Sequence, residues 1–474
     1  MPVKSRNLEK NFLTLLTFYF FVGCNSEGEN ISSNPPLNDI NHPSIETETN
    51  TSIELQYRKF ISNNEQYFEI GKGVSSAYGV PFDSVEFIDG KPKKTPLTNS
   101  SAIGLYINYL VNKIKNGDES SIVKLRKVMK QLKSAPKWEG LFYWFYKLDD
   151  GALKVFGSYD SDYIVSAVDN GNIFMSLATL IGALSDSRDP QLIAIVYDAE
   201  SIVTDSFRGW NRLFDPARGL IRAGYNTNTK AWLNYYLDRK VSESRSAVLF
   251  AVLHGYVPSH AFTNMELNSI IYTLSSGEQY ETILSWYGSF FELLVPTLWI
   301  DEKELMSKEF YNKYENFIRI HKGYSDKYGV GFLGEMYGSD GIYYNDGHSL
   351  TSESSKLYNN RLVDSRAGAI YTLASYYDLD NDYVTRKILN IKNNHPDVVT
   401  DYGWLDAVYY DGDVSTKMTG YHQGIIVNSI YHHDTRKYFS NYLRDRNLYG
   451  FLESLYSSGF SVDYQHRSSE VVDL

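Results

Sequence analysis

The sequence predicts an all-α fold, a toroid or barrel of helical hairpins with small β-hairpins in its loops. The first observation is the period: over most of the 474 residues, apolar side chains recur three and four positions apart, as on one face of a helix. The second is that long loops rich in Gly, Tyr and Asp separate alternate helical segments. Paired helices of this kind pack into a closed ring, and the loops then gather at one end of it.

The helical segments are predicted in chain order, and the first two form a hairpin. Residues 101–115 and 120–132 have the helical period, and Pro136 follows the second segment as a stop. Residues 141–156 contain two aromatic and aliphatic runs around a D-D-G turn, which indicates a β-hairpin. A long irregular loop is predicted over 323–358. The remaining helices are predicted at 171–183, 191–207, 242–254, 265–274, 289–300, 303–320, 365–377, 384–391, 423–432 and 436–457.

The N-terminal segment is similar to a bacterial lipoprotein signal. Basic residues precede the apolar run 12–22, which is followed by a glycine and then by Cys24, the single cysteine of the chain. This run is shorter than the roughly 20 residues that a membrane-spanning helix needs. The pattern predicts a signal peptide over 1–23, lipidation of Cys24, and a location in the bacterial cell envelope, at the outer membrane or the periplasmic face. The alternative is a free, buried cysteine.

Composition divides the rest of the chain into a tether and one domain. Residues 24–52 are rich in Asn, Ser, Glu, Pro and Thr and show no apolar period, which predicts a flexible tether. From residue 53 to residue 474 the composition is globular and no further linker interrupts it. A single domain is therefore predicted over 53–474.

Charge and motifs exclude several classes of function. The net charge of -11 argues against a nucleic-acid partner, because binding phosphates requires clustered Lys and Arg. The sequence contains no G-x-S-x-G, H-E-x-x-H or P-loop motif and no pair of cysteines. No cofactor and no metal are expected.

Residues 400–424 combine acidic and aromatic side chains. The segment reads T-D-Y-G-W-L-D-A-V-Y-Y-D-G-D-V-S-T-K-M-T-G-Y-H-Q-G. Carboxylates supply the proton transfers of glycoside cleavage, and aromatic rings cover the apolar faces of pyranose sugars. Because Tyr and Trp are also common in cores and Asp in turns, composition alone favours a structural role, and the neighbouring motifs have to decide.

A set of motifs in one fixed order resembles the glucoamylase-like domain family. The longest is L-S-W-Y-G-S-F-F-E-L-L-V-P at 284–296, which is similar to that family's L-S-W-S-G-T-M-F-E-Y-L-M-P. The family contains the transglycosylase domain of cyclic β-1,2-glucan synthases and the bacterial endo-β-1,2-glucanases. The other motifs resemble S-T-V-D-S-G-N, G-Y-N, S-E-A-R-L-A, G-I-S-E-S-A-Y, Y-G-F-Y-E-A and H-H-Q-G, and they lie at 166–172, 224–226, 242–247, 331–337, 402–407 and 421–424.

The resemblance implies an (α/α)6 barrel that acts on β-glucan chains through two carboxylates. Carried over motif by motif, it makes Glu335 the acid/base and places Asp406 at the position of the synthase nucleophile. The synthases carry Glu at that position, whereas the endo-glucanases carry Asp. A side chain shorter by one methylene would leave room for a water and turn retention into inversion, so hydrolysis is at least as favoured as transglycosylation. The structural alternatives are a loop-stabilising Glu335 and a buried Asp406 that accepts backbone hydrogen bonds.

Further residues are candidates for substrate binding, and each has a structural alternative. Glu243 and Arg245 either present their charges to sugar hydroxyls or form an ion pair in the core, and the ion pair is slightly favoured. Asp169 lies near the cleft or caps a helix that begins at Gly171. Glu292 either binds substrate or anchors a neighbour. Candidate stacking rings and hydrogen-bonding groups, all of which also fit a core, are Tyr225, Trp286, Tyr337, Trp404, Tyr421, His422 and Gln423.

The sequence favours one function and leaves one alternative open. The favoured function is a lipid-anchored glycoside hydrolase or transglycosidase that acts on a β-glucan, β-1,2-glucan in particular. The alternative is a non-catalytic lipoprotein that binds polysaccharide during its export or assembly. The departure at Asp406 and the Met-Tyr pair after Glu335 motivate this alternative. In both cases the partners are a polysaccharide and, through the N-terminal lipid, a membrane.

Overall fold

Helices form the frame of the protein. The computed structural model describes residues 45–157, 163–344, 367–460, 464–472 and 474. Short 3-10 helices lie at Gln66–Phe68, Trp286–Gly288, Val295–Leu298, Pro396–Val398 and Ser429–Tyr431. In chain order the α-helices are α1 (Ile45–Glu65), α2 (Ser100–Lys115), α3 (Ser120–Ser134), α4 (Ala167–Leu184), α5 (Pro190–Asp205), α6 (Phe207–Leu213), α7 (Arg245–Leu253), α8 (His260–Thr263), α9 (Phe290–Leu294), α10 (Glu302–Leu305), α11 (Lys308–Tyr328), α12 (Ile370–Ser375), α13 (Asn381–Asn394), α14 (Gly420–Asn428), α15 (His432–Asp445) and α16 (Tyr449–Gly459).

Two kinds of helix alternate along the chain, and burial distinguishes them. The inner helices α2, α4, α7, α9, α12 and α14 are buried on nearly all sides. The outer helices α3, α5, α11, α13 and α15 bury one face and expose the other. Helix α4 packs against α2, α5, α7 and α15. Inner helices covered by amphipathic outer ones are the arrangement that a toroid of hairpins requires.

Helix α4 is the most apolar helix of the core. Within the described part of the chain it is the one helix long and apolar enough to cross a membrane, and 89% of its residues are buried. The neighbouring helices therefore cover it as they would cover any core helix.

Short strands lie in the loops between the helices. Strands β3, β8, β18 and β22 each end at the residue before an inner helix. The strands are β1 (Ser84–Ile88), β2 (Lys91–Lys94), β3 (Leu97–Asn99), β4 (Lys137–Trp138), β5 (Leu141–Phe142), β6 (Phe145–Asp149), β7 (Ala152–Val155), β8 (Ile164–Ser166), β9 (Phe214–Asp215), β10 (Leu220–Arg222), β11 (Gly224–Asn226), β12 (Ala231–Trp232), β13 (Tyr236–Leu237), β14 (Asn268–Leu274), β15 (Gln279–Ile283), β16 (Met336–Tyr337), β17 (Tyr343–Tyr344), β18 (Ala367–Ala369), β19 (Val399–Thr400), β20 (Gly403–Trp404), β21 (Ala407–Tyr409), β22 (Lys417–Thr419) and β23 (His466–Val472).

Strand pairings join loops that are distant in the sequence. β1 pairs antiparallel with β22, which places Ser84 opposite Thr419. β8 pairs antiparallel with β11, and Ser166 lies opposite Gly224. These pairings fix the loops from which the inner helices α4 and α14 start.

The predicted first helical hairpin and the predicted β-hairpin are both confirmed. Residues 101–115 and 120–132 correspond to α2 and α3. In the β-hairpin, β6 pairs with β7, and the turn residues Asp150 and Gly151 have φ angles of 49° and 78°. A D-G turn favours this left-handed conformation.

The prediction of a helix at 265–274 is wrong. Residues Asn268–Leu274 form β14, which pairs antiparallel with β15 and parallel with β23. This segment is rich in β-branched and aromatic residues, which favour a strand. A short apolar run is compatible with the 3.6-residue period of a helix and also with the two-residue period of a strand, so the pattern alone did not distinguish them.

Three predicted boundaries also change. The segment 289–300 is interrupted because Pro296 lies in a 3-10 turn. The segment 436–457 is divided at Asn447, whose φ is 58°. Helix α11 extends to Tyr328, into the predicted loop 323–358, and ends at Gly329 in the left-handed conformation.

The N-terminal predictions fall mainly on residues that the structure does not describe. Cys24, the predicted signal peptide and most of the predicted tether lie outside the described residues. Helix α1 begins at Ile45, so the end of the predicted tether, residues 45–52, is helical. The helix is held further along, where the Tyr57 hydroxyl lies 2.6 Å from Ser429 Oγ. From Glu46 to Leu474 the chain forms one compact unit.

Candidate active site

Carboxylates gather where inner helices begin. Asp169 lies in the first turn of α4 and Glu292 in the first turn of α9. Glu243 comes two residues before α7, and Asp406 accepts a hydrogen bond from the backbone of Thr419, the N-cap of α14. A helix N-terminus carries partial positive charge and unpaired N–H groups, which stabilise carboxylates there.

Glu335 lies close to two of these carboxylates, those of Glu292 and Glu243. It is partly exposed, and the Tyr371 hydroxyl donates a 2.9 Å hydrogen bond to its backbone carbonyl. Its carboxyl group shares a hydrogen bond with that of Glu292. Burial among protein atoms, followed by the charges of Glu292 and Glu243, raises the pKa of Glu335 well above its ordinary value. The environment of Glu335 therefore favours its protonated form, and the residue remains partly exposed.

Glu292 and Glu243 form the adjoining acidic pair. The backbone amide of Glu243 donates a 2.5 Å hydrogen bond to Oε2 of Glu292. Tyr421 Oη and Asn172 Nδ2 donate to Oε1 of Glu243 over 2.5 and 2.6 Å. Burial, then the charges of Glu292 and Asp169, raises the pKa of Glu243 to about 8, and burial raises that of Glu292 to about 7. Glu243, Glu292 and Tyr421 thus lie together, and the slightly favoured ion pair between Glu243 and Arg245 does not form.

Asp169 faces the cleft from the first turn of α4. The helix begins at Ala167 and not at Gly171, so its N-cap is Ser166, and a capping role for Asp169 is wrong. Ser101 and Ser166 donate hydrogen bonds of 2.7 and 2.6 Å to the two carboxylate oxygens of Asp169. Burial raises its pKa to about 6, and the two serines limit that rise. Asp169 is therefore mainly ionised at neutral pH.

Asp406 is fully buried, and its side chain has 0% exposure. Its Oδ2 accepts from the backbone amide of Tyr337 and its Oδ1 from that of Thr419, each over 3.3 Å. The Nδ1 of His422 lies 3.1 Å from Oδ2, and the His422 ring is buried and stacked on Tyr371 at 4.0 Å. Asp406 thus ties the segment after Glu335 to the start of α14, the structural alternative described above.

Asp83 is a cleft carboxylate that the sequence analysis did not identify. It is partly exposed, and Asn99 Nδ2 donates a 2.7 Å hydrogen bond to its Oδ1. Burial raises its pKa, the nearby His422 lowers it, and the charge of Asp406 raises it further. The pairing of β1 with β22 brings it there, since its carbonyl accepts from the amide of Gly420 over 2.8 Å. Nothing in the sequence around Asp83 indicates this pairing.

Aromatic rings cluster around Tyr225 on β11, the strand that pairs with β8 just before α4. The ring of Trp138 is stacked on Tyr225 at 4.6 Å, and Trp232 lies 4.8 Å from Tyr225. All three are partly exposed, as stacking surfaces for sugars have to be. The sequence analysis named Tyr225 and missed the two tryptophans. Trp232 comes beside Tyr225 through the pairing of β11 with β12, and Trp138 on β4 reaches Tyr225 through a ring contact alone.

Two more predicted rings keep some exposure. Tyr337 packs against Tyr343 at 5.0 Å, and the Lys417 ammonium lies 4.6 Å from the centre of the Tyr337 ring. Tyr343 reaches the acid itself, since its hydroxyl is 3.5 Å from Oε2 of Glu335. Trp286 is partly exposed in the 3-10 turn before α9.

Four predicted binding residues are buried and do not face the cleft. Arg245 is 1% exposed and binds both carboxylate oxygens of Glu302, at 2.7 and 2.9 Å, so its partner is not Glu243. Gln423 donates a 2.7 Å hydrogen bond to the carbonyl of Trp404, and Trp404 packs edge-on against Phe60 in the core. The fourth, His422, contacts Asp406 instead of solvent.

The environments of two acids in the site separate their pKa values. The pKa of Glu335 is raised well above its ordinary value, whereas that of Asp169 is raised only to about 6. Titratable groups whose environments separate their pKa values are the arrangement that general acid and base catalysis uses. Among the described residues, no group of three or more His, Cys, Asp and Glu side chains fits a metal ion.

Comparison with known proteins relates this site to one family. Residues 234–441 match the family profile "Glycoamylase: Putative glucoamylase". An endo-β-1,2-glucanase mutant from Talaromyces funiculosus, solved with β-1,2-glucan, has 13% identity and a TM-score of 0.73, over 88% of this chain and 93% of that one. An endo-β-1,2-glucanase from Chitinophaga pinensis, solved with sophorotriose and glucose, has 14% identity and a TM-score of 0.71, over 85% and 98%. No curated protein sequence matches this chain.

These similarities confirm the predicted fold class, an all-α (α/α)6 toroid, and the predicted family resemblance. Residues 234–441 match the glucoamylase family profile, and the described part of the chain shares the fold of these endo-β-1,2-glucanases.

Proposed function

We propose that this protein is a lipid-anchored glycoside hydrolase that cleaves a β-glucan, with β-1,2-glucan as the favoured substrate. One observation carries the proposal: Glu335 is partly exposed and hydrogen-bonded to Glu292, and burial and the charges of Glu292 and Glu243 raise its pKa well above its ordinary value. A carboxyl whose protonated form is favoured in this way suits the role of a general acid. The choice of β-1,2-glucan follows from the two endo-β-1,2-glucanases that share the fold.

Cleavage requires a second, ionised carboxylate besides the acid. In the proposed reaction Glu335 protonates the glycosidic oxygen as the bond to the anomeric carbon breaks. A water forms the new bond to that carbon and passes a proton to a carboxylate. Asp169 and Asp83 are the partly exposed aspartates of the cleft, and Asp169 is ionised at neutral pH. Because Asp406 has no exposed surface, we assign it the role of positioning Tyr337 and α14.

The test uses the soluble form, residues 25–474, incubated with linear β-1,2-glucan. Wild-type protein is expected to release short oligosaccharides, and anomeric NMR of the first products shows retention or inversion. Glu335→Gln is expected to lose turnover by a factor of about 10² to 10⁴, the contribution of a general acid. Glu304→Gln is the matched control, since Glu304 is exposed outside the cleft. Wild-type turnover by the Glu335 variant would overturn the assignment of the acid.

The burial of Asp406 is the observation that favours the alternative, a polysaccharide-binding lipoprotein without catalysis. The same incubation separates the two functions. Retention of glucan by the wild-type protein with no product, over a panel of β-glucans, would support the binding function.

Lipid anchoring at Cys24 is a separate part of the proposal, and it rests on the N-terminal sequence alone. In bacterial cells the full chain is expected in the membrane fraction, with a fatty acid label on the protein. Cys24→Ser should remove the label and release the protein from membranes. An unlabelled wild-type chain would overturn the anchor while leaving the hydrolase proposal untouched.

A further inference from the structure

A groove runs along the outer face of α11, away from the cleft carboxylates. Its volume is about 560 Å³, within the range of sites that bind small molecules. The α11 residues that line it recur from Tyr311 to Asp326, a span of about 22 Å at 1.5 Å per residue. The groove is therefore long enough for a chain of several linked units.

Two partly exposed tyrosine rings line this groove, Tyr280 from β15 and Tyr311 from α11. A third lining ring, that of Tyr376, is buried. Charged side chains hold the rings in place: the Arg319 guanidinium is 5.0 Å from the centre of Tyr280, and the Lys303 ammonium is 5.8 Å from that of Tyr311. Rings fixed in this way present flat apolar faces at low entropic cost.

Charged side chains line the groove beside the rings. Lys303, Glu315 and Arg319 are exposed, and the face contacts of Lys303 and Arg319 with the rings leave their N–H donors available to a ligand. Lys322 and Asp326 line the groove as well, so charges of both signs are mixed in it, and it lacks the clustered positive charge that nucleic acids or strongly anionic polymers require. Flat rings beside donors and acceptors match the apolar faces and hydroxyl edges of a neutral sugar chain.

We propose that this groove is a second saccharide-binding site, which holds a neutral glucan chain outside the catalytic cleft. The choice of glucan as the ligand rests on the proposed function, whereas the evidence for the groove is independent of it. None of Asp83, Asp169, Glu243, Glu292 and Glu335 lines it. A site of this kind would keep a long polymer on the protein between successive cleavages.

The experiment counts binding sites for a linear β-1,2-gluco-oligosaccharide by titration calorimetry on Glu335→Gln protein. We expect two sites for each chain, and one site when Lys303→Ala and Arg319→Ala are added. The matched control combines Lys308→Ala and Asn312→Ala, exposed α11 positions that do not line the groove, and it should keep two sites. Equal thermal unfolding midpoints for all variants would confirm that they fold.

The outcomes separate this inference from the proposed function. One site in every variant, two sites in every variant, or no binding of glucan would overturn the second site. If wild-type protein fails to cleave glucan but the groove variant alone loses one bound oligosaccharide, the hydrolase proposal fails and the second site stands. Sedimentation that shows a dimer lost only in the groove variant would assign the groove to a second copy of the chain and overturn the inference.

Discussion

The backbone amide of Glu243 donates a 2.5 Å hydrogen bond to Oε2 of Glu292, whose carboxyl in turn shares a hydrogen bond with Glu335. A main-chain donor therefore fixes the partner of the proposed acid. Because the N–H group favours the charged form of Glu292, the shared proton stays closer to Glu335. The predictions below test this arrangement and its surroundings.

Glu292→Gln is expected to shift the activity profile to lower pH. The charge of Glu292 is, after burial, the largest cause of the raised pKa of Glu335, so removing it lowers that pKa. The alkaline limb of the kcat/KM profile should therefore shift to lower pH. At a fixed pH on that limb, each unit by which the pKa falls lowers kcat/KM about tenfold. A pH profile from 4 to 9 measures the shift, with Glu304→Gln as the exposed control. An unchanged limb with reduced activity at all pH values would show that Glu292 acts only through packing.

The free energy of unfolding is expected to fall as pH rises from about 5 to 8. Burial raises the pKa of Glu243 from 4.5 to about 8, so the folded protein binds a proton that the unfolded chain releases. The stabilisation is complete below the unfolded pKa and is lost as pH rises through the folded one, with a slope of at most about 1.4 kcal/mol per pH unit. Urea unfolding at several pH values measures the slope. Glu243→Gln should reduce it, and a slope equal to that of the wild type would contradict the prediction.

Asp406→Ala is expected to destabilise the fold by about 3 kcal/mol as well as to reduce activity. The substitution leaves two backbone amides, those of Tyr337 and Thr419, without their acceptor in a buried place. Asp406→Asn keeps one acceptor and should recover part of the loss. Urea unfolding compares the three proteins. A variant as stable as the wild type but inactive would instead indicate that Asp406 takes part in the chemistry.

Trp232→Ala is expected to weaken substrate binding without unfolding the protein. Trp232 is partly exposed beside Tyr225 and Trp138, and a lost stacking contact of about 1 kcal/mol raises KM roughly fivefold. Steady-state kinetics on a glucan series measures KM and kcat. Trp144→Ala, a partly exposed tryptophan that is not in this ring cluster, serves as the control. An equal rise of KM in both variants would remove the ring cluster from the binding site.

Local patterns predicted the parts of the fold that are stabilised by neighbours in sequence. The hairpin of α2 and α3 follows from its apolar period, and the turn at Asp150 and Gly151 follows from its residue types. Strand β14 was misassigned because its partner β23 is nearly 200 positions away, as the register of Asn268 with His466 shows. The apolar pattern of one segment contains no information about a strand partner so distant in the sequence.

In the site, too, residues within local motifs were predicted, and residues placed by distant contacts were not. Glu243, Glu292 and Glu335 were found because each belongs to a motif, and the structure brings all three together. Asp83 could not be found, since only the pairing of Ser84 with Thr419 places it in the cleft. Trp404 and Gln423 were assigned to substrate binding, but both are buried in the core. Their residue types occur in cores as well as in binding sites, and only the exposure of the side chain in the folded protein distinguishes the two.

The hydrogen bond between Tyr57 and Ser429 joins residues 372 positions apart. During synthesis on the ribosome, α1 is therefore made long before Ser429, and it cannot form this contact until most of the chain has been synthesised. Contacts of this separation slow folding and leave apolar surface uncovered in the meantime. Circular permutation that places α1 after α16 is expected to shorten the interval between the synthesis of the two partners, and so to reduce aggregation of the unfinished chain.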